Sequence, residues 1–183
     1  MGKMTMANLQ SAFGGESMAH MRYLTWADKA EKDKFPNVAR LLRAISRAEQ
    51  AHANGHFMAM RDAAGAASVT AGGEFGLGST SDNLAAAIEG EMFEVEEMYP
   101  AYLEVARAQS HKAAVRSMEY ALQAERIHVT MYTKAKEAVD DGKDVELGPV
   151  HICPICGYTH EGEAPDKCPV CNADKRVFVT FEA

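Results

Sequence analysis

Cysteine is absent from the first 152 residues of this 183-residue chain, so no disulfide or thiolate metal site can hold that stretch together. Positive charge is scarce as well, with 19 Lys and Arg against 26 Asp and Glu, a net −7 that excludes nucleic acid as a main partner. No apolar run approaches the roughly 18 residues that a membrane-spanning helix needs, and no positive-then-apolar leader opens the chain. The expectation is a soluble cytoplasmic protein without membrane partners. A G-x-G-x-x-G fingerprint is also missing, so any NAD(P)H oxidation must happen on a separate protein.

What is present is unevenly placed. Residues 150–183 hold five acids and three bases, leaving 21 acids and 16 bases in residues 1–149. Five glutamates of that first part fall on apolar helical stripes, and without them its acids and bases are equal in number. The acidic excess is therefore a site and not a property of the surface.

Four segments carry helical periodicity. The first runs from about residue 5 to 34, and Pro36 fits the first turn of a second that reaches about 64. Residues 65–80 (GAASVTAGGEFGLGST) read as one long connection. Ser81 or Asp82 is expected to cap a third helix to about 108 with a local kink at Pro100, and Ser110 a fourth that ends near Gly142. Two short loops around one long connection predict a mainly α, ferritin-like four-helix bundle with a single crossover over residues 1–145. Residues 146–183 form a small four-cysteine metal domain with short β-like runs such as Val177-Phe178-Val179.

Two Glu-x-x-His pairs, Glu49/His52 and Glu125/His128, lie on the second and fourth helices. Residues three apart share a helix face, so each pair aims a carboxylate and an imidazole at one point. Each follows an isolated glutamate on the helix before it: Glu16 by 33 positions and Glu91 by 34, as in a duplicated hairpin. At 100° per residue, Leu9, Ala12, Ala19, Tyr23 and Ala27 flank Glu16; Leu42, Ile45 and Ala53 flank Glu49. Leu84, Ala87, Ile88 and Val95 flank Glu91 and Glu94, and Met118, Ala121, Leu122 and Val129 flank Glu125. Five buried carboxylates would repel one another or protonate. Two divalent cations nearly offset them and two trivalent ones exceed them, which suits a centre that stores two electrons. Oxygen ligands with two imidazoles favour iron or manganese over copper or a closed zinc site.

Tyr23 lies two turns from Glu16 and Tyr99 about two turns from Glu91, within reach of ligand carboxylates; hydrogen bonds to the backbone fit them equally. His20 and His56 lie near the same stripes and read as hydrogen-bonded core or interface histidines.

Cys153-Pro-Ile-Cys156-Gly157 and Cys168-Pro-Val-Cys171-Asn172 are two knuckles whose last residues tolerate positive φ. Four thiolates make a tetrahedral site that suits iron or zinc. So short a segment cannot build a core alone, so metal folds it. An electron-requiring dinuclear site in the same chain favours iron held by the four thiolates, a one-electron carrier.

The runs Glu16-Ser-Met-Ala-His-Met-Arg-Tyr23, Ala48-Glu-Gln-Ala-His52, Gly90-Glu-Met-Phe-Glu94, Glu97-Met-Tyr-Pro100 and Ala124-Glu-Arg-Ile-His128, followed by the two knuckles, resemble the rubrerythrin family over essentially the whole length. The resemblance implies a rubredoxin-like C-terminal domain and a non-haem di-iron peroxidase that reduces hydrogen peroxide to water, as oxidative-stress protection. It implies that Glu49 and Glu125 bridge two irons, that Glu16 holds one with either Glu94 or His52, and that Glu91 and His128 hold the other. Cys153, Cys156, Cys168 and Cys171 would hold a third iron, with zinc the alternative. Glu94, His52, Tyr23 and Tyr99 would serve the chemistry. Electrons would come from NAD(P)H through an external reductase or rubredoxin. A homodimer or higher homo-oligomer would bring the four-cysteine centre of one subunit near the di-iron site of its partner. His20 departs from the family pattern. A ferroxidase that handles iron, or a zinc-stapled binding module without turnover, are the competing readings.

Overall fold

The computed structural model describes residues 1–182. Helix α1 (Lys3–Lys32) ends with Lys29 and Lys32 beside its exposed carbonyls, and Lys34 takes a left-handed φ of 71°. Phe35-Pro36 then starts α2 (Pro36–Ala59), since Pro fits the first helical turn. The two helices form an antiparallel hairpin. α2 stops about five residues earlier than its periodicity predicts.

The crossover, residues 60–79, runs along α1. Trp26 donates its indole N–H to the Gly76 carbonyl at 3.1 Å, and Ser11 its hydroxyl to Thr70 O at 3.1 Å. A Cβ on Gly14 would crowd Val69, so glycine there lets the crossover lie close.

Helix α3 (Thr80–Phe93) is capped by Ser79, not by Ser81 or Asp82 as expected. Asp82 is the other half of that capping box: Ser79 Oγ accepts from Asp82 N and Asp82 Oδ2 from Ser79 N. At Pro100 the structure shows a π-helical turn, Glu94–Met98, in place of a simple kink; the Tyr99 N–H reaches back five residues to Glu94 O. The wider turn relieves the clash that a proline ring makes with the preceding carbonyl. α4 (Tyr99–Ala108) completes this arm of the bundle. Ser110 does not cap the last helix. It takes a left-handed φ of 55°, and the His111 imidazole accepts from Ala114 N at the start of α5 (Lys112–Asp140), which Gly142 (φ 72°) terminates.

β1 (Val150–Ile152), β2 (Thr159–Glu161) and β3 (Val179–Phe181) form an antiparallel sheet in the order β2-β1-β3, with Ile152 opposite Thr159 and Val179. The sheet rests on its own bundle. Val145, Val150 and Ile152 share one core cluster with Val38, Leu41, Leu42 and Tyr132, each aliphatic side chain contributing about 1.5–3 kcal/mol of burial. Arg40 donates to the carbonyls of Leu147, Gly148 and Phe181, and Asp144 accepts the free N–H groups of Asn37 and Val38 at the start of α2. These contacts fix the four-cysteine domain against α2 and α5.

Candidate metal centres

Glu16 from α1, Glu49 and His52 from α2, Glu91 from α3, and Glu125 and His128 from α5 all converge in the bundle, each at most 3% exposed. They fall into two sets of four whose ligand atoms lie within 4.8 Å of one another: Glu16, Glu49, His52, Glu125, and Glu49, Glu91, Glu125, His128. Glu49 and Glu125 belong to both. Each divides its two oxygens between the imidazoles. Glu125 sets Oε1 2.7 Å from His52 Nδ1 and Oε2 2.6 Å from His128 Nδ1; Glu49 does the same at 3.1 and 3.3 Å. Glu16 and Glu91 close the two ends, each 3.6 Å from its imidazole.

The electrostatics are those of a site made for cations. Glu16 Oε2, Glu49 Oε1, Glu91 Oε2 and Glu125 Oε1 are buried with no donor aligned for a hydrogen bond, although His52 Nδ1 approaches the last to 2.7 Å. Ionised carboxylates accept only, so what such oxygens need is positive charge. Burial, then the Glu125 charge, pushes Glu49 up to about 7, and the same pair of causes raises Glu91 well above the carboxylate range. Burial also works upward on Glu125, but the His52 and His128 charges outweigh it and bring it down to about 2. Both imidazoles, despite burial, are raised well above the ordinary histidine value by Glu125. Protons on the imidazoles thus do what metal ions would do, and metal binding would release them. The donor set fits a carboxylate-bridged dinuclear metal site.

Two tyrosines support it crosswise. Tyr23 of α1 donates to Glu91 Oε1 at 2.6 Å, and Tyr99 at the head of α4 donates to Glu16 Oε1, so each helical hairpin steadies the terminal carboxylate of the other. Spacing placed both tyrosines near the site but not on these partners. Glu94 belongs to neither set. It opens the π-helical turn, half-buried, near Gly15 of α1, and burial followed by the Glu16 charge raises its carboxyl well above the usual range. His20 ties α1 to α2 through Ser46, with Nδ1 2.7 Å from the carbonyl. His56 is a buried core histidine bonded to Tyr99 and Ser117.

The four cysteine sulfurs also lie within 4.8 Å of one another. The Cys153–Cys171 and Cys156–Cys168 separations of 3.5 Å are far too long for disulfides and approach the edge of about 3.8 Å of a tetrahedron with metal–sulfur bonds of about 2.3 Å. Gly157 (φ 77°) and Asn172 (φ 63°) turn the two knuckles, each donating its N–H to the first cysteine carbonyl. Contact with the Cys156 thiol holds Cys153 down at about 5, while burial pushes Cys171 up to about 12.

The first knuckle lies directly on the bundle site. Thr159 Oγ1 is 2.9 Å from His128 Nε2, and a Cβ on Gly157 would collide with His52 Nε2. The resemblance implied that a partner subunit's four-cysteine centre comes near this site; in the structure the chain's own knuckle lies on it, and the Arg40 and Asp144 contacts hold the short linker to α2. Thr159, Gly157, His56 and Ser117 were not read as site residues. Only His56, one turn beyond His52 on the same stripe, carried a signal.

A four-helix bundle with a doubly bridged carboxylate–histidine site and a four-cysteine domain docked upon it defines a two-centre metalloprotein of the ferritin-like class. The rubrerythrin family profile matches residues 7–136, and that of the rubrerythrin rubredoxin-like domain residues 151–179. Rubrerythrin-2 of Clostridium acetobutylicum is 46% identical over 178 residues, 97% of each chain. A solved nigerythrin in its mixed-valence state superposes with a TM-score of 0.85 at 31% identity, covering 99% of this chain and 88% of that one. The fully reduced, all-ferrous nigerythrin gives 0.81 at 32% over the same shares. The chain belongs to the rubrerythrin family.

Proposed function

We propose that the protein is a non-haem di-iron peroxidase that reduces hydrogen peroxide to water, protecting its host from oxidative stress. The single observation that carries this reading is the sharing of Glu49 and Glu125 between two four-ligand sets whose imidazoles abut the four-cysteine domain. In this reading Glu49 and Glu125 bridge, Glu16 and His52 hold one iron, Glu91 and His128 the other, and Cys153, Cys156, Cys168 and Cys171 a third. The likeness to an all-ferrous nigerythrin supports iron as the metal. A ferrous pair supplies the two electrons that O–O cleavage needs.

The protein's own groups do the rest. One peroxide takes up two electrons and two protons and leaves as two waters. Tyr99 and Tyr23 orient Glu16 and Glu91 and hold a proton against each of these terminal carboxylates. Glu94, on its wide turn beside α1, would exchange with His52 as a ligand of that iron, matching ligand charge to iron charge. Thr159 bonds both His128 and the carbonyl of Gly157, the residue after Cys156, a covalent and hydrogen-bonded route for electrons entering singly from an external reductase or rubredoxin that draws on NAD(P)H. A homodimer is the expected assembly.

The test is anaerobic mixing of the reduced protein with hydrogen peroxide. The reading expects peroxide loss without oxygen evolution, together with the rise of ferric tetrathiolate absorbance. Steady iron uptake without peroxide loss would favour the ferroxidase instead.

A further inference from the structure

His56 is fully buried one turn beyond His52, and neither metal-ligand set contains it. Its Nδ1 lies 2.8 Å from Ser117 Oγ on α5, and its Nε2 lies 2.9 Å from the Tyr99 hydroxyl. Tyr99 gives its one proton to Glu16 Oε1, so toward His56 it is an acceptor and the imidazole must carry its hydrogen on Nε2. A neutral imidazole protonated there has a bare Nδ1, which accepts the Ser117 hydroxyl. Every donor along Ser117, His56, Tyr99 and Glu16 therefore points inward. At the outer end, Ser117 helps to wall a cleft of about 630 Å³ between α2, α5 and the first cysteine knuckle, with Arg61, Arg116 and His111 on its sides.

We propose that this row is the proton inlet of the dinuclear site, leading from water in the cleft to the Glu16 carboxylate. The proposal rests on the peroxidase reading, in which each peroxide consumes two protons. In one passage Ser117 takes a proton from cleft water and gives its own to His56 Nδ1. The imidazole releases its Nε2 proton to Tyr99, and Tyr99 passes its hydroxyl proton to Glu16 Oε1. As many O–H and N–H bonds form as break, and no electron moves. A half-turn of the imidazole about its Cβ–Cγ bond, with the Ser117 and Tyr99 hydroxyls turning back, restores the row without exposing the buried ring to water. His56 and Ser117 hydrogen-bond to neither substrate nor metal ligands in this scheme; they are relay residues that act through Tyr99.

The experiment mixes the full-length, iron-loaded, reduced chain with hydrogen peroxide in H2O and in D2O, following oxidation of the bundle centre. S117A and H56A are expected to slow it by at least about 10-fold, out of the about 10²–10⁴ that positioned proton transfer contributes. Both should change the solvent deuterium effect at unchanged iron content, and imidazole in the buffer should restore H56A. Wild-type rates and an unchanged deuterium effect in both variants would overturn the relay. Should H56A fail to fold, S117A decides alone. A second readout needs no turnover: 15N NMR of the full chain loaded with zinc should show His56 as the Nε2–H tautomer, with its Nδ1 resonance displaced in S117A. An Nδ1–H tautomer overturns the relay even where the wild type reduces peroxide. A wild type that leaves peroxide untouched while the NMR result holds overturns the peroxidase reading, and the inlet's purpose with it.

Discussion

Thr159 Oγ1 lies 2.9 Å from His128 Nε2 and donates its own proton to the Gly157 carbonyl at 3.1 Å. A hydroxyl has one proton to give, so His128 must be the donor in the first of these bonds, and Nδ1, which faces Glu125, Glu49 and Glu91, is the nitrogen a metal would take once its proton is released. One threonine of the four-cysteine domain thus sets the tautomer of a ligand in the bundle. T159V should strand a buried N–H and cost about 1–3 kcal/mol in denaturant unfolding. It should also slow reduction of the bundle centre by the four-cysteine centre, and T159S should restore both.

Gly157 combines a φ of 77° with direct contact on His52. G157A meets two penalties at once, left-handed strain and a collision with an imidazole locked among three carboxylates. The expected result is a loss above about 1 kcal/mol, with the four-cysteine domain lifted from α2 and the 141–149 linker cut faster by protease.

The crossed tyrosines make paired variants informative. Y23F removes the donor to Glu91 and Y99F the donor to Glu16. Each should weaken one metal position by about 10–100-fold and spare the other, read by stepwise metal titration. Equal weakening of both positions in either variant would contradict the assignment.

Most of the bundle was legible because burial imposes a period on sequence: the two Glu-x-x-His pairs, the stripes about Glu16 and Glu91, and the long crossover are all one-dimensional patterns. Caps were misread because Ser79, Ser81 and Asp82 are all good cap residues, and only the backbone path selects Ser79. The π-helical turn at Glu94 has no periodic signature beyond Pro100. The Tyr23–Glu91 and Thr159–His128 pairs join positions 68 and 31 residues apart, and nothing local announces such contacts.

Asp33 gives a prediction in pH. Hydrogen bonds from Lys29, then Thr80, hold its carboxyl below the ordinary aspartate value. A group depressed in the folded state contributes stability above its unfolded value of about 3.9, and the contribution is lost as pH falls through the folded value. The difference in melting temperature between wild type and D33N should be constant from neutral pH to about 5 and shrink below about 4. A difference that is flat down to strong acid would exclude Asp33 as the titrating group.

Metal stoichiometry combined with thermal melting probes the principal proposition: that acidic residues occupy this interior to receive cations. Native protein should contain three metal ions per chain, two among the glutamates and one among the cysteines, in keeping with the three ligand groups. Chelating the bundle pair should lower the melting temperature sharply, and re-addition of iron should recover it. An unaltered melt after complete removal of those ions would contradict the account.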